Sequence, residues 1–223
     1  MLHRILEPEA MDGPAEARDY DRMDFRAVND LFAAEAARLA GPNFAAGRIL
    51  DLGAGTARIP ILIARRLPRA RILAVDLSPA MLAIARVNLR RAGPAIARRI
   101  RLRCCDAKTL PVPAAKFDFV LANSIVHHIP EPAAVFAEIA RVARPGAGLF
   151  IKDLLRPTSL AGWRRLVARY TVGCNRDQRR LFADSLRAAL TLADVARLVR
   201  AAGLTGATVR KVSDRHWTLE RPC

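Results

Sequence analysis

The stretch Arg48 to Ala64, RILDLGAGTARIPILIA, constrains this chain more than any other. Ile49, Leu50 and Leu52 read as a short buried strand, with the acid Asp51 at its end. Gly53-Ala54-Gly55 reads as a tight turn, and an apolar helix follows. A strand that runs through a glycine turn into a helix start is a ligand-handling element. The glycines let backbone approach a bound group, and the first N–H groups of the helix have no partner within it.

The fine pattern narrows the ligand. The dinucleotide fingerprint is G-x-G-x-x-G. Here Gly53 and Gly55 fill the first two places and Arg58 the third. An arginine cannot permit the close helix–strand contact of the third glycine. Asp51, two places before the first glycine, would repel a pyrophosphate and suits a cationic ligand. DLGAGTA resembles the first motif of class I S-adenosylmethionine-dependent methyltransferases, D/E-x-G-x-G-x-G, with Ala57 at the last glycine position. The resemblance implies that Asp51 lies near the methionine end of the cofactor, which carries an ammonium and a sulfonium. Gly53, Ala54 and Gly55 would form the adjoining turn. Ala57 is expected in the helix start, where Ala for Gly is a mild change.

A chain of 223 residues, 52% of them hydrophobic, is expected to fold as one domain with a sizeable core. Arg or Pro breaks every apolar run within about a dozen residues, short of the roughly 20 that cross a bilayer. The N-terminal stretch is acidic and lacks the long apolar segment of a secretion signal. Cys104, Cys105, Cys174 and Cys223 have no metal or disulfide spacing, so reduced thiols in a cytoplasmic protein are expected. The net charge of +16 raises the question of nucleic acid. Only four of the 37 basic residues are Lys, however, which points to a compositional bias toward Arg. Residues 1–35 hold nine acids and four bases, net −5; the remainder holds 33 bases and 12 acids, net +21. An acidic segment is expected to lie over a basic body.

In chain order, residues 1–20 read as an irregular arm carrying Pro8, Gly13 and Pro14. Residues 24–40 have helical spacing at Phe25, Val28, Leu31, Phe32 and Leu39, and Gly41-Pro42 ends that helix. Residues 1–44 are thus an arm and a helix, which the resemblance makes a lid over the cofactor, preceding a core domain at 45–223. Residues 71–75 predict a second strand ending at Asp76, 21 positions beyond Gly55, where a carboxylate can accept from ribose hydroxyls. Ser78 is placed to cap a helix with Pro79 at its first position. Residues 100–104 predict a third strand, followed by Asp106-Ala107; residues 116–122 predict a fourth, followed by Asn123 and the pair His127-His128. Residues 149–154 predict a fifth strand. Residues 156–190 predict one or two helices capping the acceptor side, with Trp163, Arg164, Arg165 and Tyr170 suited to an anionic or aromatic substrate, to RNA, or to a plain amphipathic face. A helix from Thr191 to Ala202 and a hairpin over 207–219 close the chain.

CDAKTLPVP resembles the same family's CDA-x-x-LP segment, and FDFVLANSIVHHIPEP its -HH- segment after the fourth strand. The implied fold is α/β: a Rossmann-like, doubly wound seven-stranded sheet, mostly parallel with an antiparallel C-terminal strand. The implied cofactor residues are Asp51, Asp76 and Asp106 at successive strand ends, with Ala107 and Asn123 beside them. Leu77 and Met81 are either adenine contacts or core residues, and Tyr20, from a lid over the methionine end, is either a cofactor contact or a packing residue. His127 and His128 are candidate bases for a hydroxyl acceptor, with Asp24 and Asp153 as further candidates. Since -HH- accompanies unlike acceptors, a structural role is the favoured reading of the pair. No Cys or carboxylate stands at zinc spacing around it, so no metal is expected. The absence of a DPPY or NPPY motif at ANSI argues against a nucleobase amine as acceptor. The expectation is methyl transfer to an O, N or C atom of a small molecule. An RNA acceptor, or a non-catalytic cofactor-binding protein, is the alternative.

Overall fold

The computed structural model describes residues 2–8, 13–42, 44 and 46–223. Its centre is a seven-stranded sheet in the order β3-β2-β1-β4-β5-β7-β6. The strands are β1 (Arg48–Leu52), β2 (Arg71–Asp76), β3 (Ile100–Cys104), β4 (Phe117–Asn123), β5 (Ala143–Leu154), β6 (Thr208–Lys211) and β7 (His216–Arg221). β1 to β5 pair in parallel, and β7 lies antiparallel to both β5 and β6. This is the expected sheet. The chain reverses its winding between β3 and β4, so the carboxyl ends of β1 and β4 flank the crevice where ligands bind in such sheets.

Alternate residues of each strand face opposite layers. Ile49, Ile72, Phe119, Leu121 and Phe150 face the layer of α2 (Arg26–Ala40), α3 (Arg58–Arg66) and α4 (Pro79–Ala92), the last followed by the short α5 (Pro94–Ala97). Leu50, Val120, Ala122, Leu149 and Ile151 face α6 (Pro132–Val142) and α9 (Leu192–Ala201). Both faces are covered, so the central strands are apolar throughout rather than alternating. Two further helices, α7 (Leu160–Tyr170) and α8 (Arg176–Ala188), fill the stretch read from sequence as helical. Local caps agree with the residue pattern: Ser78 Oγ accepts from Met81 N at 3.1 Å, and Thr191 and Asp194 form a reciprocal capping box.

Three features differ from the sequence reading. Within the arm, α1 (Pro14–Arg22) is a helix, started by Pro14 and anchored where Asp21 accepts from Arg58 Nε at 2.8 Å and from Asn88 Nδ2 at 3.1 Å. Residues 1 and 9–12 of that arm lie outside the described residues. In α2 only part of the apolar series is buried. Phe32 stacks on Phe150 with centroids 4.5 Å apart, while Val28 and Leu31 are 50% and 61% exposed. The helix packs on the sheet, not over a ligand site. The fifth strand begins at Ala143, because Ala143 already pairs with Phe117 before a bulge shifts the register. The charge asymmetry has a structural counterpart in ion pairs from the acidic segment to the body, Asp21–Arg58 and Asp30–Arg66.

Candidate active site

The loop after β1 is shaped by its glycines. Gly53 and Gly55 have φ of +67° and +53°, the left-handed region that β-carbons disfavour. A Cβ on Gly53 would also meet Ile125 Cδ1 at 2.7 Å. The loop amides are divided in their duties: Ala54 N donates to Val75 O at 2.9 Å, and Gly55 N donates to Asp76 Oδ2 at 2.7 Å. Asp76 Oδ1 accepts from Ser78 N at 2.9 Å, so one carboxylate ties the first loop to the second. Ala57 is not in the helix start as expected. It caps α3 from a left-handed conformation, φ +62°, and its methyl is buried among Leu82 and Ala85. Glycine is the unstrained residue there, and alanine carries a cost of roughly 1 kcal/mol.

A cleft of about 110 Å³ opens at these strand ends, lined by Gly53, Gly55, Asp76, Leu77, Met81 and Asn123. Tyr20 of α1, Ser124, Ile125 and His128 close it. A smaller recess of about 30 Å³ continues past Asp76 and Leu77 to Asp106 and Ala107. The structure therefore gathers ten of the sequence-derived positions around one groove. Burial raises the Tyr20 phenol above its ordinary range, with Asp76 and Asp21 adding to the effect. Asp106 is held in its own turn, accepting from Lys108 N at 2.8 Å, with Lys108 Nζ 3.1 Å from its other oxygen. Asp51 and Ala54 stand behind the wall. Asp51 is 2% exposed, its Oδ2 has no hydrogen-bond partner, and burial followed by Asp76 pushes its carboxyl up to about 8. A buried carboxylate with an unpartnered oxygen beside a ligand cleft is fitted to a cation, which would restore its ionised form.

His127 and His128 lie on the 3-10 turn Val126–His128 beyond β4. Their environments differ. His127 is buried, with Nδ1 bonded to Asp153 Oδ1 at 2.5 Å and Nε2 3.5 Å from Glu7 Oε1. His128 faces the donor cleft and also a larger cavity of about 670 Å³, which it shares with Tyr20 and Met23. Burial, then the neighbouring His127, lowers His128 to about 4. Among the described residues, that cavity carries Glu7, Glu16, Asp19, Asp177 and Asp184 against a single cation, Arg180. The face of α8 turned to it is acidic, unlike the arginine-rich surface read from sequence. Asp24 joins neither space; it is exposed and paired with Arg26, which holds its carboxyl at about 2. Glu7, Ser124 and Ile125 were missed in sequence. Only Ile125, in an apolar run after a strand, had a local signal; Glu7 is brought 120 residues along the chain by tertiary contacts.

Residues 49–146 match the family model described as a methyltransferase domain. With the sheet order above, residues 49–146 are similar to a methyltransferase domain, and the sheet has the class I, Rossmann-like topology. Over 156 residues, 70% of the chain, it is 31% identical to a ubiquinone biosynthesis O-methyltransferase of Hahella chejuensis, covering 58% of that protein. Over 120 residues it is 36% identical to a malonyl-[acyl-carrier protein] O-methyltransferase of Xylella fastidiosa, 54% of this chain and 39% of that one. The chain thus spans about half the length of these relatives. A SAM-dependent methyltransferase from Aquifex aeolicus shares the fold with a TM-score of 0.66 at 17% identity, covering 94% of this chain and 97% of that one.

Proposed function

We propose that this protein transfers a methyl group from S-adenosylmethionine to an O, N or C atom of a small-molecule acceptor. The observation that carries the reading is one groove lined by Asp76 and Asp106, with the unpartnered Asp51 oxygen behind it. Asp51 would balance the cofactor's cationic end, Asp76 the ribose hydroxyls, and the Asp106 recess the base. When bound, the cofactor supplies an electrophilic methyl on a sulfonium, a good leaving group. The protein's own task is then to align the acceptor and exclude water. Tyr20 and α1 serve as the cover. His128, at the junction of the two spaces and neutral at pH 7, is the group placed to receive a proton from an acceptor.

The charge of the larger cavity favours a neutral or cationic acceptor over RNA. Five carboxylates around its rim would oppose a phosphate backbone. The four arginines Arg26, Arg58, Arg65 and Arg91 line a separate groove between α2, α3 and α4. No described helix is long and apolar enough to cross a membrane. All four cysteines are free, which suits a cytoplasmic setting.

Calorimetric titration with S-adenosylmethionine and S-adenosylhomocysteine tests the donor site. One-to-one micromolar binding is expected; no heat from folded protein with either compound sinks the assignment. Release of S-adenosylhomocysteine in metabolite pools then tests turnover. A rate confined to RNA and falling steeply with salt would move the acceptor to nucleic acid.

A further inference from the structure

The strap formed by residues 2–8 does more than cover. Leu2 N donates to Thr158 O and Ile5 N to Arg187 O, both at 3.1 Å. Between them the Arg4 guanidinium donates to four carbonyl oxygens: Ala188 at 2.6 Å, Ile129 at 2.8 Å, Pro130 at 3.0 Å and His127 at 3.2 Å. This fixes the strap onto the 3-10 turn and delivers Glu7 to the histidine pair. Ser185 Oγ donates to Glu7 Oε2 at 3.0 Å. The other oxygen, Oε1, is buried without a hydrogen bond, 3.2 Å from His128 Nδ1 and 3.5 Å from His127 Nε2. His128 Nδ1 is buried and likewise lacks a hydrogen bond. The Glu7 side chain is only 6% exposed.

Two imidazole nitrogens and a carboxylate oxygen, all within 4.8 Å of one another, converge on one point. The two distances from Glu7 Oε1, 3.2 and 3.5 Å, are near the edge of a coordination tetrahedron, where bonds of about 2.0–2.1 Å set ligand atoms about 3.3–3.4 Å apart. The outer groups fit as well. Asp153 Oδ1 takes up His127 Nδ1, so in the neutral imidazole Nε2, 3.5 Å from Glu7 Oε1, is the nitrogen left to ligate. A carboxylate behind a ligating histidine is the usual support of such a metal site. The sequence spacing lacks a third ligand, and the fold supplies it.

We infer that Glu7, His127 and His128 bind one divalent transition metal ion of the zinc class, with a fourth position toward the acidic cavity. The ion relieves a buried carboxylate oxygen and a buried imidazole nitrogen at once. It locks the strap to the turn; since an imidazole that ligates a metal has no lone pair left to take a proton, the ion would put a Lewis acid in place of His128 as base. Cations are drawn there by the four other carboxylates of the cavity, Glu16, Asp19, Asp177 and Asp184. The site does not depend on methyl transfer.

The test is titration of chelator-treated full-length protein with zinc and with cobalt(II). The expected results are one equivalent bound, the intense visible bands of four-coordinate cobalt with nitrogen and oxygen ligands, and a rise in Tm. In Glu7→Gln and in His128→Asn, with folding checked by circular dichroism, affinity should fall at least about tenfold and the bands disappear. Absence of the bands in the wild type, or binding unchanged in Glu7→Gln, overturns the site. The first result would leave a protonated His127 bridging Asp153 and Glu7; the second would assign the metal to surface thiols. S-adenosylhomocysteine binding, measured on the same wild-type sample, reports the donor cleft separately.

Discussion

Asp51 and Asp153 end the first and fifth strands of one sheet, 2% and 1% exposed, yet the protein treats them in opposite ways. Asp153 is saturated. Val126 N donates to its Oδ2 at 2.6 Å, and Leu154 N donates to Oδ1 at 2.6 Å, which also receives His127 Nδ1. Burial alone would raise its pKa, but His127 and these donors hold it below the usual carboxylate range. Asp51 has an oxygen with no partner, a like charge nearby in Asp76, and a carboxyl raised to about 8. The lesson is that burial by itself assigns no role. A buried acid whose lone pairs are all used holds the protein together; one left short of partners holds a place for a ligand.

The comparison breaks first at Asp153. Asp153→Ala should destabilise the protein by about 3–5 kcal/mol, because it strands a buried imidazole and at least two amides. Urea unfolding followed by circular dichroism measures this. A loss under about 1 kcal/mol would mean that the network is not structural.

At Asp51 the signs should reverse. Asp51→Asn should stabilise the ligand-free protein at pH 8 by about 1–3 kcal/mol, since it removes a buried charge with an unsatisfied oxygen. The same change should weaken S-adenosylmethionine binding about a hundredfold, the worth of a charge-assisted hydrogen bond. Stability and binding moving in the same direction would contradict the division drawn between the two acids.

The pH dependence sharpens this further. The folded pKa of Asp51, about 8, lies above its unfolded value of 3.8. Between these values the folded state keeps a proton that the unfolded state has lost. Stability of the ligand-free protein should therefore fall as pH rises from about 4 to about 8, and Asp51→Asn should remove that component of the slope. Chemical denaturation across this range in both proteins gives the difference directly.

The two halves of the site also differ in how far sequence reached them. The donor half was legible because each acid follows its own apolar strand and each loop is read within a few residues. Asp51, Asp76 and Asp106 lie at the ends of β1 and β2 and in the turn after β3; Asp76 and Asp106 line one groove and Asp51 stands behind it. The acceptor half is assembled from segments without local pattern. Glu7 reaches His127 through four arginine-to-carbonyl bonds from Arg4, and no periodicity encodes such contacts. Helix α1 escaped notice because its stability lies in tertiary anchors, Asp21 to Arg58 and Asn88, not in an apolar stripe. Arg58 was legible only as a departure from a glycine fingerprint. In the structure it is the residue that seats the cover.

The smallest expected effects distinguish the loops of the two halves. Each holds one non-glycine residue in the left-handed region, Ala57 at φ +62° and Ser124 at φ +55°. Glycine would relieve roughly 1 kcal/mol of strain at either, while its greater freedom in the unfolded chain takes back about half of that. At Ser124, a half-buried position with no core to lose, Ser124→Gly should gain about 0.5 kcal/mol. At Ala57 the methyl is fully buried against Leu82 and Ala85, and deleting it costs about 0.8 kcal/mol. Ala57→Gly should therefore come out neutral or slightly destabilising, although it restores the residue of the glycine motif. Paired melting curves of the two variants decide the matter: a gain at Ala57 equal to that at Ser124 would show that the methyl contributes nothing to the packing of α4, and that the alanine is tolerated rather than used.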